Sequence, residues 1–451
     1  MSDNQNVDVT SIINESRFTG YQWLILTLCA LSAIFDGYDT QGIAYVAPVI
    51  VKDLGIAPAS LGLIFSSGLV GLTLGAVFFG MFADKFGRKQ AIMWSVLVFG
   101  VFSLLTPQGH DVQSLLILRF LAGIGLGGAL PNVIALMMEY TPMRRRGLAV
   151  NSPNSCFAFG SVVGGIVATQ LIPAFGWQST FYVGGVVPLL FLVVLAIWLP
   201  ESARFLLVKG KSPERVLQIM QKIAPSRGFT EATRFTLEPE VHGITVKHLF
   251  TQGRATATML LWTAFFMNLF VLLYLINWMP TLLNKAGQPL QTAILTVVWY
   301  NIGGFFGGIA MGWFSDRLSA PHGVLAIAYV GAAVFIGVAA FSIGNPYLLF
   351  PAMFLAGVSI NGGQASLNTI AATYYPTAIR ATGVGWALGI GRVGSILAPA
   401  IGGILVAAQW SIPSVILVCT VPAAIAAIAI LSLRRHRAHE MAGIAASAAA
   451  T

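Results

Sequence analysis

The chain reads as twelve apolar blocks of roughly 20 residues, each long enough to cross a ~30 Å hydrocarbon layer as a helix. They begin near Tyr21, Leu61, Ala91, Gln113, Ser152, Phe181, Thr258, Gln291, Val324, Pro346, Gly383 and Ile412. The pattern predicts an all-α protein of twelve transmembrane helices. Residues 1–20 form a polar N-terminal tail, 21–200 a first six-helix bundle, 201–255 a polar linker, 256–433 a second six-helix bundle and 434–451 a C-terminal tail. Within the linker, Ser212-Pro213-Glu214 predicts the start of a short surface helix. The Ala-rich last ten residues read as unstructured.

The two bundles repeat each other. Arg119-Phe-Leu-Ala-Gly123 returns as Met353-Phe-Leu-Ala-Gly357, 234 residues on. Pro142 and Arg146 match Pro376 and Arg380 at the same offset, as does Gly160-Ser161 with Gly394-Ser395. Gly80-Met-Phe-Ala-Asp84 matches Gly312-Trp-Phe-Ser-Asp316. Two pseudo-symmetric halves in parallel orientation follow, a known transporter plan with the substrate site at the midplane between them.

Composition agrees with lipid as the solvent: 56% of residues are hydrophobic, 9% are charged, and the mean hydropathy is +0.80. The net charge of +9 does not point to nucleic acid, because the placement of the basic residues follows membrane orientation. With both termini in the cytoplasm, all but four of the 25 Lys and Arg residues fall in cytoplasmic segments; the exceptions are Lys52, Lys285, Arg119 and Arg392. The N-terminal region has no pattern of a cleaved signal peptide. Cys29, Cys156 and Cys419 lie in apolar spans without ligand spacing, so they read as packing residues rather than disulfide or metal ligands.

The loop after the second span, Gly80-Met-Phe-Ala-Asp84-Lys85-Phe-Gly87-Arg88-Lys89, resembles the cytoplasmic signature of the major facilitator superfamily, with Phe82 where Leu is usual. Its second copy is degraded after Asp316-Arg317. Arg119-x-x-x-Gly123-x-Gly125-x-Gly127 and Pro200-Glu-Ser-Ala-Arg-Phe205 are similar to two further elements of that superfamily. Asp36-Gly37-Tyr38-Asp39 resembles the signature of its aromatic acid:H+ symporter family. That resemblance implies the major facilitator fold, an inner-membrane location and import of benzoate-like or hydroxylated aromatic acids. It also implies functional charged positions at Arg119, Glu139, Arg380 and Arg392, with His322 at a similar loop position.

The charged residues inside the spans make physical sense of this. A carboxylate at the bilayer centre costs roughly 2.5 to 3.5 kcal/mol, so Asp36 and Asp39, three apart on one helix face, need a cavity or a partner. Counting ~1.5 Å per residue puts Asp36 and Arg392 near the midplane and Asp39 and Arg119 each ~10 Å from the outer face. Two acids and two arginines sum to zero. Protonating one acid leaves +1, which favours an anionic guest whose carboxylate accepts a bidentate guanidinium. Proton and anion then improve each other's binding. Asp36, Asp39 and Arg119 are the candidate proton-coupling set, and the spacing does not choose between the two acids. Arg392 is the candidate for the substrate carboxylate. The competing reading is a salt-bridge network that only fixes helix packing.

An aromatic substrate needs apolar walls with a few polar groups. The candidates are Tyr38, Asn154, Asn268, Asn277, Trp278, Tyr300, Asn301, Asn361 and Gln364, with Phe157, Phe266 and Tyr274 as further aromatic or apolar walls. With 29 Phe, 10 Trp and 11 Tyr in the chain, any single aromatic is more often packing than ligand. Gly80, Asp84, Arg88, Glu139, Arg146, Asp316, Arg317 and Arg380 are candidates for a cytoplasmic gate, held by ion pairs worth ~0 to 1 kcal/mol each, or are topogenic charges only. Glycine pairs such as Gly71/Gly75, Gly160/Gly164 and Gly304/Gly308/Gly312 are expected to let helices approach closely. Gly123-x-Gly125-x-x-Gly128 lies inside an apolar span without a preceding strand, so it is no dinucleotide fingerprint.

The expected protein is a monomeric proton symporter in the lipid bilayer, importing small aromatic acids by alternating access, with no enzyme activity, cofactor, metal or nucleic-acid partner. Rivals are a major facilitator transporter of sugars or non-aromatic anions, and a membrane receptor that binds aromatic acids without moving them.

Overall fold

The computed structural model describes the backbone of residues 6–210, 212–230, 233–236, 246–251, 253–318, 321–376 and 378–449. Side chains are described over the same residues apart from 6, 148, 150, 312, 313, 315, 316, 318 and 438–449. A chain in hydrocarbon must satisfy its backbone polar groups internally, and long apolar blocks do so as helices. The first half contains α1 (Val9–Glu15), α2 (Gly20–Asp53), α3 (Ser60–Phe86), α4 (Arg88–Leu105), α5 (Val112–Tyr140), α6 (Arg146–Phe175) and α7 (Gln178–Trp198). The linker carries α8 (Ala203–Val208) and α9 (Pro213–Ile223). The second half contains α10 (Ala255–Lys285), α11 (Leu290–Leu318), α12 (Pro321–Phe341), α13 (Pro346–Tyr374), α14 (Arg380–Ala407), α15 (Ile412–Leu417) and α16 (Thr420–Ala449). Twelve spans among the described residues are long and apolar enough to cross a membrane. Each starts within a few residues of its sequence-predicted position.

Two elements differ from the expected tails. Residues Asn6–Asp8 form a strand, β1, which pairs in parallel with linker strand β2 (Arg234–Thr236). Asp8 then caps α1, its side chain accepting from the Ser11 amide at 2.7 Å. At the other end, α16 runs helical to Ala449 rather than ending before the last ten residues. The alanines that read as featureless are the strongest helix formers, and they propagate a helix already nucleated in the apolar span.

Contacts divide the chain into two compact units. The first comprises residues 1–42, 67–164 and 178–241; the second comprises 43–66, 165–177 and 242–451. This division does not follow the chain halves. In the second unit, segment 43–66 packs on helices of the C-terminal half: Ser66 Oγ donates to the Ile396 carbonyl at 2.7 Å, and Phe65 meets Trp278 edge-on at 5.9 Å.

The core of the first unit joins the membrane helices to the linker. Ile25, Cys29, Val96, Leu136 and Leu195 pack in one cluster with Ile12 and Ile13 of α1 and Val216, Ile219 and Met220 of α9. The linker helix therefore exists because its apolar stripe is covered. Ser212 sits at its N-cap position and Pro213 at the first turn, as the sequence predicts. Gly37 and Gly160 let α2 and α6 touch backbone to backbone: a Cβ on Gly37 would overlap the Phe157 carbonyl, and one on Gly160 the Ile34 carbonyl. The expectation of close approach fails at Gly308, where a Cβ would meet nothing within 4 Å, because that face of α11 is open.

Candidate functional site

The α2/α6 contact fixes the Asp36 to Asp39 turn of α2 deep in the first unit. Asp39 and Arg119 of α5 are 1% and 3% exposed, and Arg119 Nη2 lies 3.2 Å from Asp39 Oδ2. The same nitrogen is 3.4 Å from the Asp39 carbonyl. Ser103 Oγ of α4 donates to the other carboxylate oxygen, Oδ1. The Arg119 guanidinium stands over the Phe181 ring at 5.3 Å, and its Nη1 is buried without a hydrogen-bond partner. The buried guanidinium is thus met by one carboxylate, one carbonyl and one aromatic face. Asp36 is also buried, accepting from Thr40 Oγ1 one helical turn on at 3.2 Å. Tyr38 donates to the Thr180 carbonyl at 3.2 Å, which ties α2 to α7 and spends its hydroxyl on packing.

Depth along the helices pairs Asp39 with Arg119, and these two side chains meet; it also pairs Asp36 with Arg392, which belong to different units. Ser103 is not legible in this way, since a serine in an apolar helix carries no charge and no period to mark it.

The second unit holds most of the polar candidates for the substrate. Asn268 Nδ2 donates to Gln364 Oε1 at 2.8 Å, and Gln364 Nε2 to Asn368 Oδ1 at 3.2 Å, which links α10 to α13. Asn268 Oδ1, Tyr300 Oη and Asn301 Nδ2 are buried without hydrogen-bond partners. Asn361 is half-buried and lies against Gly304. Arg392 on α14 is half-buried, and its guanidinium makes no hydrogen bond or ion pair with the described residues. Other candidates are occupied by structural duties. Trp278 donates to the Pro399 carbonyl at 3.0 Å, Asn277 to the Leu273 carbonyl of its own helix at 2.7 Å, and Tyr274 to the Val415 carbonyl at 2.9 Å. Asn154, in the first unit, is exposed, while Phe157 and Phe266 are half-buried beside the Gly37 and Gly394 crossings.

Of the gate candidates, Arg88 lies 3.2 Å from Asp84 and 3.7 Å from Glu139, with Nη1 3.4 Å from Asn132 Oδ1. Gly80 stands in open space. Arg146 and Glu139 line a cavity of about 360 Å³ beneath α1, each with one buried atom lacking a hydrogen-bond partner. In the second unit Arg317 and Arg380 are exposed, Arg380 Nε reaching the Tyr375 carbonyl at 3.4 Å; the Asp316 side chain lies outside the described residues.

Glu201, within the Pro200 to Phe205 element, joins this group in the structure without a pattern in the sequence that marks it. The Glu201 carboxylate accepts from the amides of Lys89 at 3.1 Å and Ser202 at 2.8 Å, so it sits on the positive end of α4. Gly87, with φ +104, makes room for it, since a Cβ there would overlap the carboxylate. Burial holds Glu201 above the ordinary carboxylate range, opposed by these amides and by Lys89.

The Major Facilitator Superfamily profile matches residues 29–311 and 287–449. The chain belongs to that superfamily. It is 39% identical over 431 residues to the 4-hydroxybenzoate transporter PcaK of Pseudomonas putida, covering 95% of this chain and 96% of that protein. It is 38% identical to a gallate transporter of Pseudomonas putida, over 94% of this chain and 95% of that one. Among solved structures, the partially occluded inward-open xylose transporter XylE from E. coli shares the fold with a TM-score of 0.70 at 18% identity, over 92% of this chain and 98% of that chain. The fold is that of a multi-pass membrane transporter, not of an enzyme.

Proposed function

We propose that the protein imports small aromatic carboxylates of the benzoate or hydroxybenzoate type, each together with a proton, by alternating access. The observation that carries this reading is the buried Asp39/Arg119 ion pair at 3.2 Å, beside a second buried acid, Asp36, on the same helix. Relatives named as 4-hydroxybenzoate and gallate transporters support the substrate class. Asp39, with Asp36, takes the proton and Arg119 controls its affinity. Arg392 is free to grip the substrate carboxylate with its fork of donors. The Asn268, Gln364 and Asn368 chain, with Tyr300 and Asn301 of α11 and Asn361 of α13, supplies polar groups for ring hydroxyls. Asp84, Arg88 and Glu139 brace the inner gate with Arg146, Asp316, Arg317 and Arg380. The protein works as a monomer in the bacterial inner membrane with both termini in the cytoplasm.

The test is uptake of labelled benzoate, 4-hydroxybenzoate, gallate, gentisate and protocatechuate into proteoliposomes under an imposed pH gradient, with wild type and Asp39→Asn. Gradient-driven accumulation by wild type and its loss in Asp39→Asn is expected. Accumulation that ignores the gradient, or survives the substitution unchanged, removes the coupling mechanism.

A further inference from the structure

The Asp39 carboxylate has unequal partners. Arg119 Nη2 occupies Oδ2 at 3.2 Å, Ser103 Oγ occupies Oδ1, and Gly184 of α7 closes the remaining side, where a Cβ would stand 3.3 Å from Oδ1. The ionisable groups facing the carboxylate are Arg119 on α5 and, on its own helix, Asp36 and Tyr38; α4 and α7 present Ser103 and Gly184, neither ionisable. Ser103 is fully buried.

A guanidinium can only donate hydrogen bonds, so it suits an ionised carboxylate and offers a carboxylic acid proton no acceptor. A hydroxyl can do both. While Asp39 is ionised, Ser103 donates to it. When a proton from water forms the new O–H bond on Asp39, that acid proton needs an acceptor, because an unpaired buried O–H is costly. Ser103 Oγ is in place to accept it. Ser103 keeps its own proton and turns it to the carbonyl four residues back, that of Phe99, as helical serines do. Its bond to the charged form is the stronger of the two, so its presence favours release.

We propose that Ser103 is a positioning residue of the proton site, its hydroxyl reversing direction as Asp39 gains and loses a proton and so setting how readily Asp39 gives the proton up. This rests on the reading that Asp39 carries the coupled proton.

The test measures pH-gradient-driven uptake of labelled 4-hydroxybenzoate in proteoliposomes between about pH 5 and 9, with gradient-free counterflow as the measure of folded carrier. In Ser103→Ala the pH of half-maximal uptake moves up by about one unit, counterflow persisting; Ser103→Thr, which keeps the hydroxyl, returns it to the wild-type value. Ser103→Cys, close in size and a weaker donor, falls between, and it carries the test if the alanine variant shows no counterflow. An unmoved or acid-shifted profile in Ser103→Ala or Ser103→Cys, with Asp39→Asn abolishing gradient-driven uptake, overturns the proposal. Gradient-driven uptake that persists in Asp39→Asn overturns the underlying reading instead.

Discussion

Replacing Arg119 by Gln leaves Asp39 buried opposite a neutral side chain. At 3.2 Å and an effective dielectric of ~20, the attraction removed is about 5 kcal/mol. Both partners are nearly inaccessible, so solvent screening does little to reduce it. Breaking a buried pair from one side costs roughly 3 to 5 kcal/mol, since the remaining charge has no counterion. Arg119→Gln and Asp39→Asn are each expected to lose that much, while the double variant leaves no orphan charge and loses at least about 2 kcal/mol less than the sum. Equilibrium unfolding of the detergent-solubilised protein, followed by tryptophan fluorescence across the four-membered cycle, measures this. Strictly additive losses, or single losses below about 1 kcal/mol, would refute the argument that the pair is held by its charges.

Arg392→Lys keeps the charge but loses the planar fork; KM for 4-hydroxybenzoate rises about tenfold with little change in carrier stability, as transport kinetics and melting curves can show. Gly37→Ala drives a methyl into the Phe157 carbonyl and separates α2 from α6, costing about 1 to 3 kcal/mol in unfolding experiments. Glu201→Gln changes the pH dependence of stability. Burial raises Glu201, so the folded protein binds its proton more tightly than the unfolded chain does, and wild-type stability falls as pH rises from the ordinary Glu value near about 4.3. The Gln variant lacks that decline, which melting temperatures between about pH 4.5 and 7 detect.

The helices were legible because lipid leaves the backbone one local solution, and block length alone then marks each span. The Asp39 and Arg119 pairing was legible because charges in hydrocarbon are few and depth can be counted along a helix. Ser103 and Glu201 were harder to see. Ser103 takes its meaning from a carboxylate 64 residues away, and Glu201 from an amide on α4 that no side-chain pattern announces. Tyr38, Asn277 and Trp278 pose the opposite difficulty. Pattern marks their polar atoms in apolar spans as available for a substrate, and in the structure each donates to a backbone carbonyl within its own unit. The N-terminal strand had no pattern at all, because its pairing partner lies beyond six membrane helices.

That strand has a consequence for biogenesis. Asn6 pairs with Arg234, so the residues ahead of α1 wait until the linker has been synthesised before they can be seated. A nascent chain halted after α7 would hold six inserted helices with their leading edge untied. A bulky fusion placed ahead of Asn6 would compete at the same late step, whereas one at the far end of α16 would leave that closure alone.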